Sequence, residues 1–172
     1  MRTWRTPDAS KINNILKKMF DNTLLQKIEI RKHSTTFHFQ YVKNKNSGQS
    51  DLILAISTVW WVGEELNHPL LPDKISKYAN GPEVNDKYLK ACLLVGMTVK
   101  SATINEDLLA INFEGTEKLC LVGDRETGEY DFFGWSLSFD NSSFYSSNLN
   151  VVSGNGNSWI SINPIFEGLL DA

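Results

Sequence analysis

Cysteine and histidine are scarce in this sequence, and their scarcity excludes several kinds of chemistry. Cys92 and Cys120 are the only cysteines, each among apolar neighbours, and His33, His38 and His68 are the only histidines. No CxxC pair or Cys/His cluster is present, and the first two histidines are placed to point to opposite faces of a strand. We therefore expect two buried free thiols, no disulfide, no metal site and no cofactor.

Long apolar runs are also missing. The longest one, residues 52–62, is interrupted by Ser57 and Thr58 and falls well short of the roughly 20 residues of a membrane-spanning helix. The basic N-terminus is not followed by the apolar segment and cleavage site of a secretory signal. The sequence thus predicts a cytoplasmic protein without contact to a membrane.

Catalytic motifs are absent as well. There is no G-x-S-x-G, and Val152-Ser153-Gly154-Asn155-Gly156 is better interpreted as a hairpin connection than as a nucleophile turn. Glu64 and Glu65, close to His68, come nearest to an acid–base group, but adjacent glutamates point in different directions. We predict no catalytic residue and no enzymatic activity.

Charge is unevenly distributed along the chain. Residues 1–50 hold ten Lys/Arg and three Asp/Glu, a charge of +7, whereas residues 51–172 hold seven and seventeen, a charge of −10. The basic residues Lys11, Lys17 and Lys18 fall on the polar face of a predicted helix, where solvation explains them, so nucleic acid is not the expected partner. The acidic part suits a basic partner.

Two amphipathic helices and a series of strands account for the periodicity. The first helix ends near Asp21-Asn22, and its stripe consists of Ile12, Ile15, Leu16, Met19 and Phe20. The second runs from Pro82 to about Leu93 with Val84, Tyr88, Leu89 and Cys92 inward, and a short helix fits residues 73–79. Strands are predicted at 25–31, 35–42, 52–62, 97–103, 108–113, 118–122, 133–139, 149–152 and 159–162.

The two halves of the chain resemble each other. Leu25-x-x-Ile28-x-Ile30 recurs as Leu94-x-x-Met97-x-Val99, an offset of 69, and the helix before each segment follows the same offset. Further along, the apolar pairs 37/39 and 52/54 match 109/111 and 119/121, and Trp60 matches Trp135. Coincidence between two amphipathic segments is the alternative explanation.

The predicted fold is therefore α+β, a mainly antiparallel sheet with two or three helices and an internal duplication of a helix-then-strands unit. We expect one domain over residues 1–172, with similar halves at 6–66 and 81–139 and a C-terminal hairpin at 148–163. The expected core comprises Ile15, Phe20, Leu25, Ile28, Phe37, Leu54, Leu94, Val99, Ile111, Leu121 and Trp135.

Two segments have the composition of a protein-recognition surface. The first is the acidic segment 123–131, in which aromatic residues flank a cluster of charges: Asp124, Glu126, Glu129, Tyr130 and Asp131. The second is Trp60-Trp61 with Glu64 and Glu65, because successive strand residues face opposite ways and both indoles cannot enter one core. Either Trp61 contacts another element or chain, or this strand is buried on both faces.

The chain resembles, in overall character, the bacterial immunity proteins of contact-dependent inhibition and related polymorphic toxin systems. Like them it is small, acidic, rich in Asn, Ser and aromatic residues, and free of catalytic motifs. The resemblance implies a cytoplasmic inhibitor that neutralises a cognate toxin domain, often a basic nuclease, by direct binding. It leaves a homodimer open.

Two other classes of function remain. Inward aromatic residues, among them Phe37, Phe39, Trp135 and Trp159, would also suit a small apolar ligand inside a β-rich domain. An enzyme that uses Glu64, Glu65 or Asp131 is the third alternative.

Overall fold

A computed structural model describes residues 9–32, 34–44, 46, 48, 50–57, 60–63, 84–105, 108–115, 118–122, 133–140, 149–155 and 159–162. The first half contains α1 (Ala9–Phe20), β1 (Thr23–Ile30), β2 (Thr35–Tyr41), β3 (Leu52–Ile56) and β4 (Trp60–Val62). The second contains α2 (Val84–Leu93), β5 (Val99–Asn105), β6 (Leu108–Phe113), β7 (Lys118–Val122) and β8 (Phe133–Phe139). The chain continues into β9 (Leu149–Asn155) and β10 (Trp159–Ile162).

The ten strands form two antiparallel sheets, which confirms the predicted α+β class. One sheet has the order β1-β2-β3-β8-β9-β10 and the other has the order β4-β7-β6-β5. The C-terminal hairpin is present as β9 paired with β10. Neither described helix has the length and apolarity needed to span a bilayer. The helix expected at residues 73–79 lies outside the described residues.

One hydrophobic core joins both sheets and α1. The α1 stripe is wholly buried, and Phe20 meets Phe39 edge to face with ring centroids 5.0 Å apart. Nine of the eleven predicted core residues are buried, Ile28 is half-buried against the core, and the Leu121 side chain lies outside the described part. The strand faces inferred from period-two alternation are therefore correct.

The strand predicted over residues 52–62 is wrong, because the chain changes sheets within it. β3 pairs with β2 and β8, whereas β4 pairs with β7 in the other sheet. The crossing begins after Ile56, at the polar residue Ser57. The equivalent crossing occurs in the second half, where β8 follows β7 in the chain but pairs with β3 in the larger sheet. Each half thus contributes its fourth strand to the sheet of the other.

The ladders of the two sheets repeat the same register, as the predicted duplication requires. β1 has an extra residue at Gln26, between Leu25 and Lys27, and β5 has one at Lys100, between Val99 and Ser101. When the two bulges are superposed, Leu25 corresponds to Val99, which is an offset of 74 residues. In the larger sheet, the residues paired across four neighbouring strands include the row Ile30, Thr35, Ile56 and Trp135. The equivalent row of the smaller sheet is Ile104, Leu109, Leu121 and Trp60. The predicted match between Trp60 and Trp135 is confirmed.

The same offset relates the helix ends and defines a pseudo-two-fold axis. Asn22 after α1 and Gly96 after α2 both have positive φ, 55° and 88°, as helix C-terminal residues often do. Leu24 forms an isolated antiparallel bridge with Thr98, its own equivalent, so the axis passes between them. Gly96 N–H donates to Leu25 O at 2.7 Å and extends this junction of the two sheets.

Several sequence predictions for the second half are shifted. The offset is 74 rather than 69, so Leu25 corresponds to Val99 and the pair 37/39 to 111/113. The pair that matches 119/121 is 54/56. The error arose because apolar residues recur every two positions along a strand, so spacing alone permits several registers.

The inner face of α2 was also mispredicted. Tyr88 is half-buried, but Leu89 is 68% exposed and Cys92 is exposed, whereas Ala91 and Leu94 are buried. The helix packs against β4, where Tyr88 meets Trp60 with ring centroids 5.5 Å apart. Cys120 is buried, as expected, whereas Cys92 is exposed.

Candidate functional site

Most residues of the predicted recognition surface lie outside the described residues. This holds for Glu64 and Glu65 and for the acidic segment with Asp124, Glu126, Glu129, Tyr130 and Asp131. Trp61 is described and is 2% exposed, on the face of its sheet opposite Trp60, which is equally buried. The strand is therefore buried on both faces, and Trp61 offers no exposed contact for a partner.

The two crossovers between the sheets differ in length. In the first half, residues 57–59 connect β3 to β4, whereas in the second half residues 123–132 connect β7 to β8. The equivalent connections thus have three residues in the first half and ten in the second. The longer crossover contains all four carboxylates of the acidic segment and a single basic residue, Arg125. The four carboxylates therefore lie in the connection that is longer in the second half than in the first.

A polar cluster on the outer face of the larger sheet was not predicted. His38 on β2 is buried, and its Nδ1 lies 3.1 Å from Ser50 Oγ. Ser50 Oγ is 3.0 Å from Oε1 of Gln26, the bulged residue of β1. On the other side of the ring, His38 Nε2 lies 3.3 Å from Glu29 Oε1, without hydrogen-bond geometry. The Ser50 hydroxyl, the His38 imidazole and the Glu29 carboxylate therefore lie in a row.

Asp51 fixes the backbone next to this cluster. Its carboxylate accepts hydrogen bonds from Tyr41 N–H at 2.7 Å and from Asn44 Nδ2 at 2.9 Å. Its own N–H donates to Phe39 O at 2.8 Å. These bonds hold the chain where it enters β3, and so they place Ser50 beside His38.

The ionisation of the cluster follows from burial and from its neighbours. Burial lowers the pKa of His38, the charge of Lys27 lowers it further, and Glu29 and Asp140 oppose the shift. The hydrogen bond from Lys27 Nζ, 2.9 Å from Oε1, is the main cause that lowers the pKa of Glu29. At neutral pH the cluster therefore combines an uncharged imidazole with an ionised carboxylate.

The groups stand in the order of a nucleophile and its base, but the Ser50 hydroxyl donates its one hydrogen to Gln26 Oε1 and not to His38, and two further features oppose nucleophilic catalysis. Ser50 is 8% exposed, so a substrate carbonyl has little access to its oxygen. The adjacent N–H, that of Asp51, is occupied by Phe39 O and cannot stabilise an oxyanion. We interpret the cluster as a polar network that fastens the β2–β3 connection to the sheet. In the other half, Asn112 replaces His38 and donates to Ser101 Oγ at 2.9 Å.

The histidine makes the stability of the protein depend on pH. Because its folded pKa lies below the ordinary 6.5, the native state favours the neutral ring, and stability falls as pH drops through and below 6.5. We expect urea denaturation between pH 7.5 and 5.5 to show this loss. His38→Asn, chosen because asparagine occupies the equivalent position 112, should reduce the slope of stability against pH. Equal slopes for both proteins would contradict the assignment, whatever their absolute stabilities.

The interior aromatic rings expected to line a ligand site pack against protein. Phe37, Phe39 and Trp135 are each at most 1% exposed. Phe37 meets Trp60 edge to face with centroids 5.2 Å apart, an arrangement typical of filled cores. The Trp159 side chain lies outside the described part. These contacts give the small-ligand alternative no support.

Comparison with known proteins identifies no relative: no protein-family model, no curated protein and no solved structure matches this chain.

Proposed function

We propose that this protein acts by binding another protein, and that it is an immunity protein which neutralises a basic toxin domain. The observation that carries the proposal is the acidic crossover, residues 123–132, which has ten residues where the equivalent connection of the first half has three. A connection between two core strands can be lengthened only at the surface of a protein. Longer surface loops are frequent sites of recognition.

Electrostatics supports a basic partner. The crossover has four carboxylates against one guanidinium, within a segment of the chain whose charge is −10. Such an arrangement speeds encounter with a basic surface and disfavours acidic ones. Tyr130, beside these charges in the sequence, is suited to be an apolar anchor that enters a pocket on the toxin. Blocking an active site in this way needs no catalytic group on the inhibitor.

Replacing the four carboxylates by amides should abolish neutralisation without unfolding the chain. The quadruple variant is Asp124→Asn, Glu126→Gln, Glu129→Gln and Asp131→Asn. We expect association with the toxin to slow at least tenfold at low salt, because long-range attraction is removed. The measurement is growth rescue of cells that produce each of a panel of basic nuclease toxin domains, followed by binding kinetics with the toxin that is neutralised.

A control variant tests whether loss of carboxylates elsewhere in the chain also impairs neutralisation. Glu29→Gln and Asp21→Asn remove two carboxylates from the first half, far along the chain from the crossover. This control should rescue as the unchanged protein does. Rescue by the quadruple variant would exclude the crossover. Native mass spectrometry of the protein purified from its own cells, if it showed a retained small molecule and no polypeptide, would contradict the proposed function.

A further inference from the structure

The contact between α1 and β5 shows how this fold covers the end of a sheet. α1 packs along β5, and Asn13 binds both backbone groups of Ile104: Oδ1 accepts from its N–H at 2.7 Å, and Nδ2 donates to its carbonyl at 3.2 Å. Both elements also bury apolar side chains in the core, among them Ile15 at 0%, Met19 at 2% and Ile104 at 4% exposure. We call this contact the covered seam.

The pseudo-symmetric counterpart of the covered seam is open. With the offset of 74, Ile15 and Met19 correspond to Leu89 and Leu93 of α2, and Ile104 corresponds to Ile30 of β1. All three equivalents are apolar, yet Leu89 is 68%, Leu93 76% and Ile30 53% exposed. They account for three of the five large hydrophobic residues exposed in the described part of the chain.

The orientation of α2 explains the open seam. Ala91 of α2 and Leu94, just after the helix, enter the shared core, and α2 packs against β4 instead of lying along β1 as symmetry with α1 requires. Leu89, Cys92 and Leu93 then form a second apolar stripe at i, i+3 and i+4 on the solvent side. β1 is an edge strand, which beyond its bridge at Leu24 has only β2 beside it among the described strands.

We propose that two copies of this chain form a two-fold dimer in which α2 of each copy packs on the β1 edge of the other. The covered seam shows that a helix with apolar residues at these positions fits a strand with isoleucine at this position. Each copy carries both the helix stripe and the strand edge, so a single two-fold axis buries all four surfaces. Lys90 stands where α1 has the buried Leu16, so its long side chain must extend past the apolar contact to keep its ammonium group in solvent.

The dimer also resolves two features that are unfavourable in a monomer. Exposed leucines in a row and an uncovered edge strand both favour uncontrolled association. A closed two-fold dimer covers both the exposed leucines and the strand edge. This inference concerns a surface distinct from the acidic crossover and does not depend on the toxin-binding proposal.

Sedimentation and light scattering of the full-length protein test the proposal. We expect a particle of twice the 19.5 kDa chain mass at micromolar concentration. Leu93→Glu and Ile30→Glu should each weaken dimerisation at least a hundredfold, because either places a charge in an apolar contact. Val42→Glu, at an apolar residue that is 45% exposed elsewhere, is the matched control and should remain dimeric. A monomeric unchanged protein, or dimers of both seam variants, would overturn the proposal.

Disulfide trapping distinguishes contact between copies from movement of α2 within one copy. In a Cys92→Ser background, one chain carries Ile30→Cys and another carries Leu93→Cys. Mixing and mild oxidation should give a cross-linked heterodimer. If instead the double variant in a single chain forms only an intrachain bond, α2 covers the seam of its own chain and the dimer is excluded.

Discussion

Replacing Trp60 or Trp135 with alanine should lower the free energy of unfolding by about 3–5 kcal/mol each. Both indoles are at most 2% exposed, and Trp60 packs edge to face on Phe37 and Tyr88. Each lies at the equivalent position of an exchanged strand that pairs with a strand of the other half, so each truncation opens a cavity where the two halves meet. Urea denaturation provides the measurement.

The exchange of strands also predicts how the protein unfolds. If one half unfolds, the sheet of the other half loses the exchanged strand, β4 or β8. The Trp60 and Trp135 variants should therefore both lower the midpoint of one cooperative transition. Far-UV circular dichroism and fluorescence of the remaining tryptophans should coincide. Val42→Ala, at an exposed site, should change stability by less than about 0.5 kcal/mol. Two separate transitions, each altered by only one tryptophan variant, would show that the halves are independent.

Asn13→Ala should destabilise the protein by about 2–4 kcal/mol, an effect large for a polar residue on a helix. Its amide is the partner of both backbone groups of Ile104, and truncation leaves an N–H and a carbonyl unpaired beneath α1. Thermal and urea unfolding measure the change. Hydrogen exchange of the Ile104 amide should accelerate at the same time, which identifies the edge of β5 as the place of the loss.

Asn14→Ala is the matched control for this prediction. Asn14 is the next residue of α1 and is exposed. Both substitutions gain the same helix propensity, so the difference between them isolates the two hydrogen bonds to β5. Asn13→Asp keeps an acceptor for the Ile104 N–H but presents a carboxylate oxygen to its carbonyl, so it should not restore stability. Equal stability of the two alanine variants would mean that α1 is held by its apolar stripe alone.

The elements themselves were largely predictable from the sequence. The α1 stripe, the hairpin of β1 and β2, and strands β6, β7, β8 and β10 follow from local periodicity, which depends only on neighbouring residues. The sheet to which a strand belongs was not predictable. Residues 52–62 read as one apolar run, and nothing local distinguishes a continuous strand from two strands that enter different sheets.

The polar cluster around His38 shows the same limit for a site. Alternation along β2 correctly places His38 on the face opposite Phe37 and Phe39. Its partners Gln26, Glu29 and Ser50 come from the neighbouring strand and from a loop. Their approach depends on the bulge in β1 and on the Asp51 contacts, and the sequence carries no recognisable signal for either.

By itself, the sequence determined much of the secondary structure and most of the core, because periodicity and side-chain hydrophobicity act over a few residues. Only the tertiary structure decided the register of the repeat, the exchange of β4 and β8, and the burial of Trp61. It also decided that the equivalent residues Met19 and Leu93 have opposite surroundings, one in the core and one in solvent. These outcomes depend on which distant surfaces meet, and that is a property of the whole packed chain.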